Sequence, residues 1–307
     1  MGGKKDLEIR KRENFKQGVV RLLDTLHNNS AKYIVARSRQ HISIHEMRKN
    51  IKKTRGITRL LRDEIGKEKY RELNEFYKNI ANRIAVLRDD TSQIELLESM
   101  KKKINSPELK KPFSSAIRQV EKKRKVEFEK FLLSGQQNSI RGLILDQKEI
   151  IHELDFEGDP DYFILESLCR IHRRARSAYE VTTFLPHDEI YHYWRKQVKY
   201  LMYQLTIINN AWPSFFKTYI NELDKLGNLL GKLHDLSLLN QHVHEKKLIV
   251  LNKKQKDIIL NYIYKQRAKK KKKIEKTGKR LFTESSEEFA IRVHEIWSDS
   301  DLEKSMQ

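Results

Sequence analysis

The stretch His45-Glu46-Met47-Arg48-Lys49-Asn50-Ile51-Lys52 has a second copy, His192-Tyr193-Trp194-Arg195-Lys196-Gln197-Val198-Lys199, starting 147 residues later in a chain of 307. An imidazole, a guanidinium and two ammonium groups recur at matching positions. A second pair of strings follows. Leu87-Arg88-Asp89-x-x-Ser92 places Asp89 37 residues after Lys52, and Leu233-His234-Asp235-x-Ser237 places Asp235 36 residues after Lys199. Two blocks in the same order at nearly the same gap point to an internal duplication.

On a helical wheel of about 100° per residue, His45, Arg48, Lys49, Lys52, Arg55 and Arg59 share an arc of about 120°, while Met47, Ile51, Ile57, Leu61 and Ile65 lie opposite. In the second copy His192, Arg195, Lys196, Lys199 and Tyr203 share one face, and Trp194, Val198, Leu201, Leu205 and Ile208 the other. Both strings therefore read as amphipathic helices carrying a cationic stripe. A solvated helix face would account for one such stripe. Like charges at i,i+4 destabilise a helix, however, and residues 45–62 hold seven Lys or Arg against one Glu. Solvation also gives no reason for the same phase to occur twice.

Helical periodicity dominates the rest of the chain, which has only 11 glycines and 5 prolines. Pro107, Pro112, Pro160, Pro186 and Pro213 mark expected breaks. The expected helices cover 8–38, 42–65, 68–103 and 109–134, then, after a partly helical connector at 139–157, 161–184, 187–210, 214–247 and 253–283. Glu157-Gly158-Asp159-Pro160 is the clearest boundary. The fold class is all-α: two four-helix bundles related by internal pseudo-twofold symmetry. Residues 1–157 form the first half and 158–283 the second. A charged tail, 284–307, has the pattern of a short helix over Glu287 to Trp297.

The formal net charge is +21, from 63 Lys+Arg against 42 Asp+Glu. Such an excess favours an anionic partner: nucleic acid, an acidic membrane surface or a free polyanion. The single cysteine, Cys169, excludes an internal disulfide framework and a Cys-based zinc site. No apolar run approaches the ~18 residues of a membrane span, and the start, Met1 to Asp6, has no signal core. The expectation is a soluble, cytoplasmic protein with no membrane partner. Further cations gather at Arg118, Lys122 and Lys125, at Arg170, Arg173 and Arg174, and at Lys265, Lys269 and Lys272 within the most basic segment. If the halves pack together, their stripes can line one shared groove or pore.

In these paired motifs, over about residues 8–283, the chain resembles the CHAD domain family, the conserved histidine α-helical domains. The resemblance implies two four-helix bundles and a basic central surface that binds inorganic polyphosphate, with members found at polyphosphate granules and some fused to triphosphatases. Carried onto this sequence, it makes the stripes of both copies, together with Arg88, His234 and the further cations above, the candidate contact set. The chain departs from the family pattern at His234, where the first half has Arg88, and at Tyr200 and Met202, where cations are common.

Polyphosphate suits these residues. It carries roughly one negative charge per phosphate and no bases to read, so Arg chelation and mobile Lys charges suffice. Imidazoles would add charge as pH falls through about 6.5, and affinity would fall with salt. Asp89 and Asp235 read as groups that orient neighbouring cations. The first alternative is a nucleic-acid binder, a weaker competing use of the same charge, although no helix-turn-helix, zinc-finger or RNP-like motif is visible. The second is a metal-dependent phosphohydrolase. His41 and His45 have the i,i+4 spacing of two imidazole ligands, but no carboxylate set converges with them in sequence. No Gly-rich phosphate loop or Gly-x-Ser-x-Gly is present. The reading is a binding protein, not an enzyme, without cofactor or metal.

Overall fold

Asn14 accepts from the backbone N–H of Gln17, whose side chain reciprocates, and this capping box starts the first helix, α1 (Phe15–Ile34). The computed structural model describes residues 7–10, 13–154, 160–245 and 248–305. These residues hold eleven α-helices and a short 3-10 helix at Asn209–Ala211, with no strand among them. After α1 come α2 (Gln40–Leu60), α3 (Lys67–Arg83), α4 (Ala85–Ile104), α5 (Pro107–Leu133) and α6 (Gln136–His152). The second segment holds α7 (Pro160–Phe184), α8 (Asp188–Ile207), α9 (Pro213–Glu245), α10 (Lys253–Leu281) and α11 (Ser286–Ser305). A second capping box, Asn252 with Gln255, starts α10.

Three of the prolines, Pro107, Pro160 and Pro213, open helices, where a missing N–H costs nothing. Pro112 does not break the chain as the sequence suggests, but lies inside α5. The helix expected over 68–103 is two helices, interrupted at Ile84. The connector expected over 139–157 is a regular helix, α6, as far as His152. The boundary residues Glu157, Gly158 and Asp159 lie outside the described residues, as does the start of the chain at Met1 to Asp6. The short helix expected in the tail extends over α11, whose Phe289, Val293 and Trp297 are buried.

The order of packing partners recurs along the chain. α1 packs on α2 and on α6, and α4 on α5. α7 packs on α8 and on α11, and α9 on α10. The helix pair α3–α4 thus takes the place of the single helix α9, and, with that pair counted as one, each segment has one helix more than a four-helix bundle needs.

One apolar core runs through both segments. It joins Leu22, Leu23, Met47 and Ile57 to Trp194, Leu201, Phe216 and Phe289. A smaller cluster ties the far ends of α4 and α5 (Leu97, Met100, Phe113) to those of α9 and α10 (Leu239, Val243, Ile259).

Candidate functional site

α2 buries Ile44, Met47 and Ile51 in the main core, so the opposite side, with His45, Arg48, Lys49 and Lys52, must face away from it. α8 likewise buries Trp194, Val198 and Leu201. His192 and Arg195 then point toward the stripe of α2. A cleft of about 490 Å³ separates them, walled by Arg88, Asp89, Ser92, Glu95 and Ser99 of α4 and by Gly231, His234 and Asp235 of α9. Residues of both copies of the first motif and of both downstream strings line this one cavity.

Partners hold most of the cations in place. Arg48 donates from Nη1 to the carbonyl oxygen of Ala81 at 2.9 Å. That carbonyl lies in the last turn of α3, where the backbone offers no helical partner; the interruption at Ile84 creates the acceptor. Arg88 grips Glu95 through two bonds of 3.1 and 2.9 Å, and Lys49 pairs with Glu46 at 2.9 Å. Lys199 lies one turn beyond the cleft lining, bound to Asp224 at 2.9 Å. Arg195 lies against Gly231, and its buried Nε has no hydrogen-bond partner among the described residues.

Lys52 projects into the cleft, and its ammonium pKa is pushed down to about 8, first by desolvation and then by Arg195, Arg48, Arg88 and Lys199. The side chain still reaches solvent through the open side of the cavity. The rings of His192 and His234 lie 4.8 Å apart. Burial, then His234, Lys196, Arg195 and Lys52, hold the His192 pKa at about 4. Burial also lowers His234, aided by Arg195, and His45, aided by Arg88. The three imidazoles therefore take up protons at lower pH than the ordinary 6.5 expected from sequence. Asp89 and Asp235 line the cavity themselves, and burial pushes the Asp235 carboxyl up.

The remaining expected contacts divide among other surfaces. Lys196 is exposed, with its ammonium over the Tyr193 ring at 5.8 Å. Tyr203 packs against Gly56 where α8 meets α2, and burial pushes its hydroxyl up to about 12. Arg55 and Arg59 turn to Asn74. Arg170 pairs with Asp63 and Arg173 with Glu287, each at 2.5 Å, and Arg174 is exposed nearby. Arg118 and Lys122 line a separate groove of α5 with Lys110 and Lys111. Lys125, Lys265, Lys269 and Lys272 are exposed on α5 and α10.

Sequence reasoning missed Glu95, Ser99 and Gly231 as cleft residues. It also missed Lys103, whose charge acts on Asp235 and, with Lys232, on Lys270. Gly227 and Gly231, four residues apart on a long helix, were the available signal for a helix face kept clear for side chains of another. Among the described residues, no group of three or more His, Cys, Asp or Glu is placed to hold a metal ion. No helix among them is long and apolar enough to cross a membrane.

A bundle of long helices with repeated His, Arg and Lys motifs turned into one central cleft defines the class. The family model described as CHAD domain matches residues 21–244, and the chain belongs to the CHAD domain family. A comparison with curated proteins gives no match.

Proposed function

We propose that this protein binds inorganic polyphosphate in the cleft between α2, α4, α8 and α9, without catalysis. The observation that carries the reading is the convergence of His45, Arg48, Lys52, Arg88, His192, Arg195 and His234, from four helices, on one cavity. Family membership supports it, since CHAD domains are linked in general to polyphosphate.

Chemistry supports it as well. Guanidinium forks chelate phosphate oxygens and ammonium groups supply mobile charge. The neutral imidazoles and Ser99 offer hydrogen bonds to the remaining oxygens. Among the described residues the cavity's few aromatic groups are imidazoles, without the stacking platforms that single-stranded nucleic acids use. A cytoplasmic location at polyphosphate granules belongs to the same proposal.

The test is a titration with length-defined polyphosphate at two salt concentrations, with DNA as competitor and orthophosphate release followed in parallel. Salt-sensitive binding that DNA displaces poorly, with no phosphate released, supports the reading. Preference for DNA, or steady phosphate release, refutes it.

A further inference from the structure

A second group of guanidinium side chains stands at the C-terminal end of α2. Arg59, Arg62, Arg170 and Arg174 line a narrow crevice with Tyr70 and Gln204. This crevice and the central cleft share no lining residue, and no carboxylate lines it among the described residues. Four cations at such density repel one another unless an anion joins them.

Two of the cations carry unused donors. Among the described residues the Nε of Arg62 and the Nη2 of Arg170 are buried without a hydrogen-bond partner, although Asp63 holds Arg170 through Nη1. Arg59 is fixed as a plate over the Tyr200 ring at 4.0 Å, with Asn74 accepting from it at 3.2 Å.

The floor has the opposite polarity. Ser167 donates its hydroxyl to the carbonyl of Arg59 at 3.1 Å, so it can only accept from Gln204, whose Nε2 donates to it at 3.0 Å. That chain fixes the amide and leaves Gln204 Oε1 buried and, among the described residues, unpartnered, in a residue only 1% exposed. Free space in the crevice is about 10 Å³, enough for one water-sized group. A chain cannot thread it. One hydroxyl-bearing corner of a tetrahedral anion can.

We infer that this crevice binds one corner of a single monohydrogen phosphate group, its P–OH donating to Gln204 Oε1 and accepting from the buried donors of Arg62 and Arg170, with the outer oxygens accepting from the exposed Arg174. A buried acceptor without a donor is costly, so an oxyanion of the same shape but lacking a proton is rejected. Sulfate is that anion. The phosphate can come from free orthophosphate or from the terminal group of a polyphosphate chain, since both carry an ionisable P–OH. The site does not depend on the central cleft binding anything.

The experiment compares orthophosphate and sulfate by calorimetric titration on the full chain, on Arg62→Ala/Arg174→Ala, and on the cleft variant Arg88→Ala/Arg195→Ala. The wild type and the cleft variant are expected to bind orthophosphate alike, with sulfate at least about tenfold weaker. The crevice variant is expected to lose about tenfold or more. Gln204→Met is expected to narrow the gap between the two anions; Arg62→Ala, at a less buried position, keeps the test valid if that variant fails to fold. Equal affinity for phosphate and sulfate, no orthophosphate binding by the wild type, or a loss that follows the cleft variant would overturn the inference. Polyphosphate with free ends and with amide-blocked ends separates the two sources: weaker binding of the blocked chain identifies chain termini, and equal binding identifies free phosphate. Failure of the cleft reading would show differently, as long polyphosphate binding the cleft variant as tightly as the wild type.

Discussion

Lys199 lies across Gly227: a methyl group at position 227 would come within 2.8 Å of Lys199 Cε, and one at Gly231 within 3.2 Å of Arg195 Nε. Two glycines four residues apart thus clear a track on α9 along which the cations of α8 are laid. Alanine favours a helix by about 1 kcal/mol over glycine, so stability alone would not select glycine here. Gly231→Ala is expected to keep or raise the melting temperature while weakening polyphosphate binding severalfold. Gly278→Ala should do the reverse. Its methyl would meet the Trp194 and Tyr179 rings at 2.7 Å, and the overpacking should cost about 1–3 kcal/mol. Thermal melts and titrations of the two variants check the contrast.

Glu95 competes with any anion for Arg88. Its carboxylate occupies the guanidinium through two bonds and lies in the same cavity. Glu95→Gln removes one negative charge and frees the fork. Polyphosphate affinity should rise severalfold, and the dependence on salt should steepen, as expected for one more phosphate contact. Titrations across a salt series measure both.

Binding should respond to pH through His192. Its pKa is near 4 because burial and neighbouring cations disfavour its charge. A bound polyanion favours the charged form and raises that value, so binding takes up protons and tightens as pH falls from about 6.5 toward 4. His192→Asn should flatten the curve over this window while leaving affinity at pH 8 little changed. Titrations at pH 8, 6 and 5 give the slope.

His172 predicts a separate effect on stability. It is fully buried, stacked on Phe289 at 4.2 Å and bonded to Ser286 at 2.9 Å, so it joins α7 to α11. Burial, then Arg176, holds its pKa at about 4, below the ordinary 6.5. The unfolded chain therefore binds the extra proton between those values. Stability is complete above pH 6.5 and declines as pH falls toward 4, by about 3 kcal/mol in all. Urea unfolding at pH 7.5 and 5 should show a loss in the wild type that His172→Phe reduces.

The sequence was most legible where chemistry and periodicity coincide. The faces of α2 and α8 followed from the alternation of Met47 and Ile51 with Arg48 and Lys52, and of Trp194 and Val198 with Arg195. The interruption at Ile84 was not legible, because no proline or glycine marks it. The packing of α11 escaped notice because its apolar residues, Phe289, Val293 and Trp297, stand among acidic neighbours and gain meaning only against α7. Wheel position also could not separate Lys52 from Arg59. Both lie on one stripe of α2, yet Lys52 enters the cleft while Arg59, two turns on, stacks on Tyr200 in the crevice. A long helix carries one face past several neighbours, and only the tertiary packing assigns each turn its surroundings.

If polyphosphate is held in the cleft, the placement of the cations and not their total charge sets the affinity. The most direct measurement compares polyphosphate affinity in Lys52→Ala/Arg195→Ala with that in Lys269→Ala/Lys272→Ala, two variants of equal net charge. Loss of one to two orders of magnitude in the first, against a change of less than about threefold in the second, is the predicted result. Equal losses in both would contradict it.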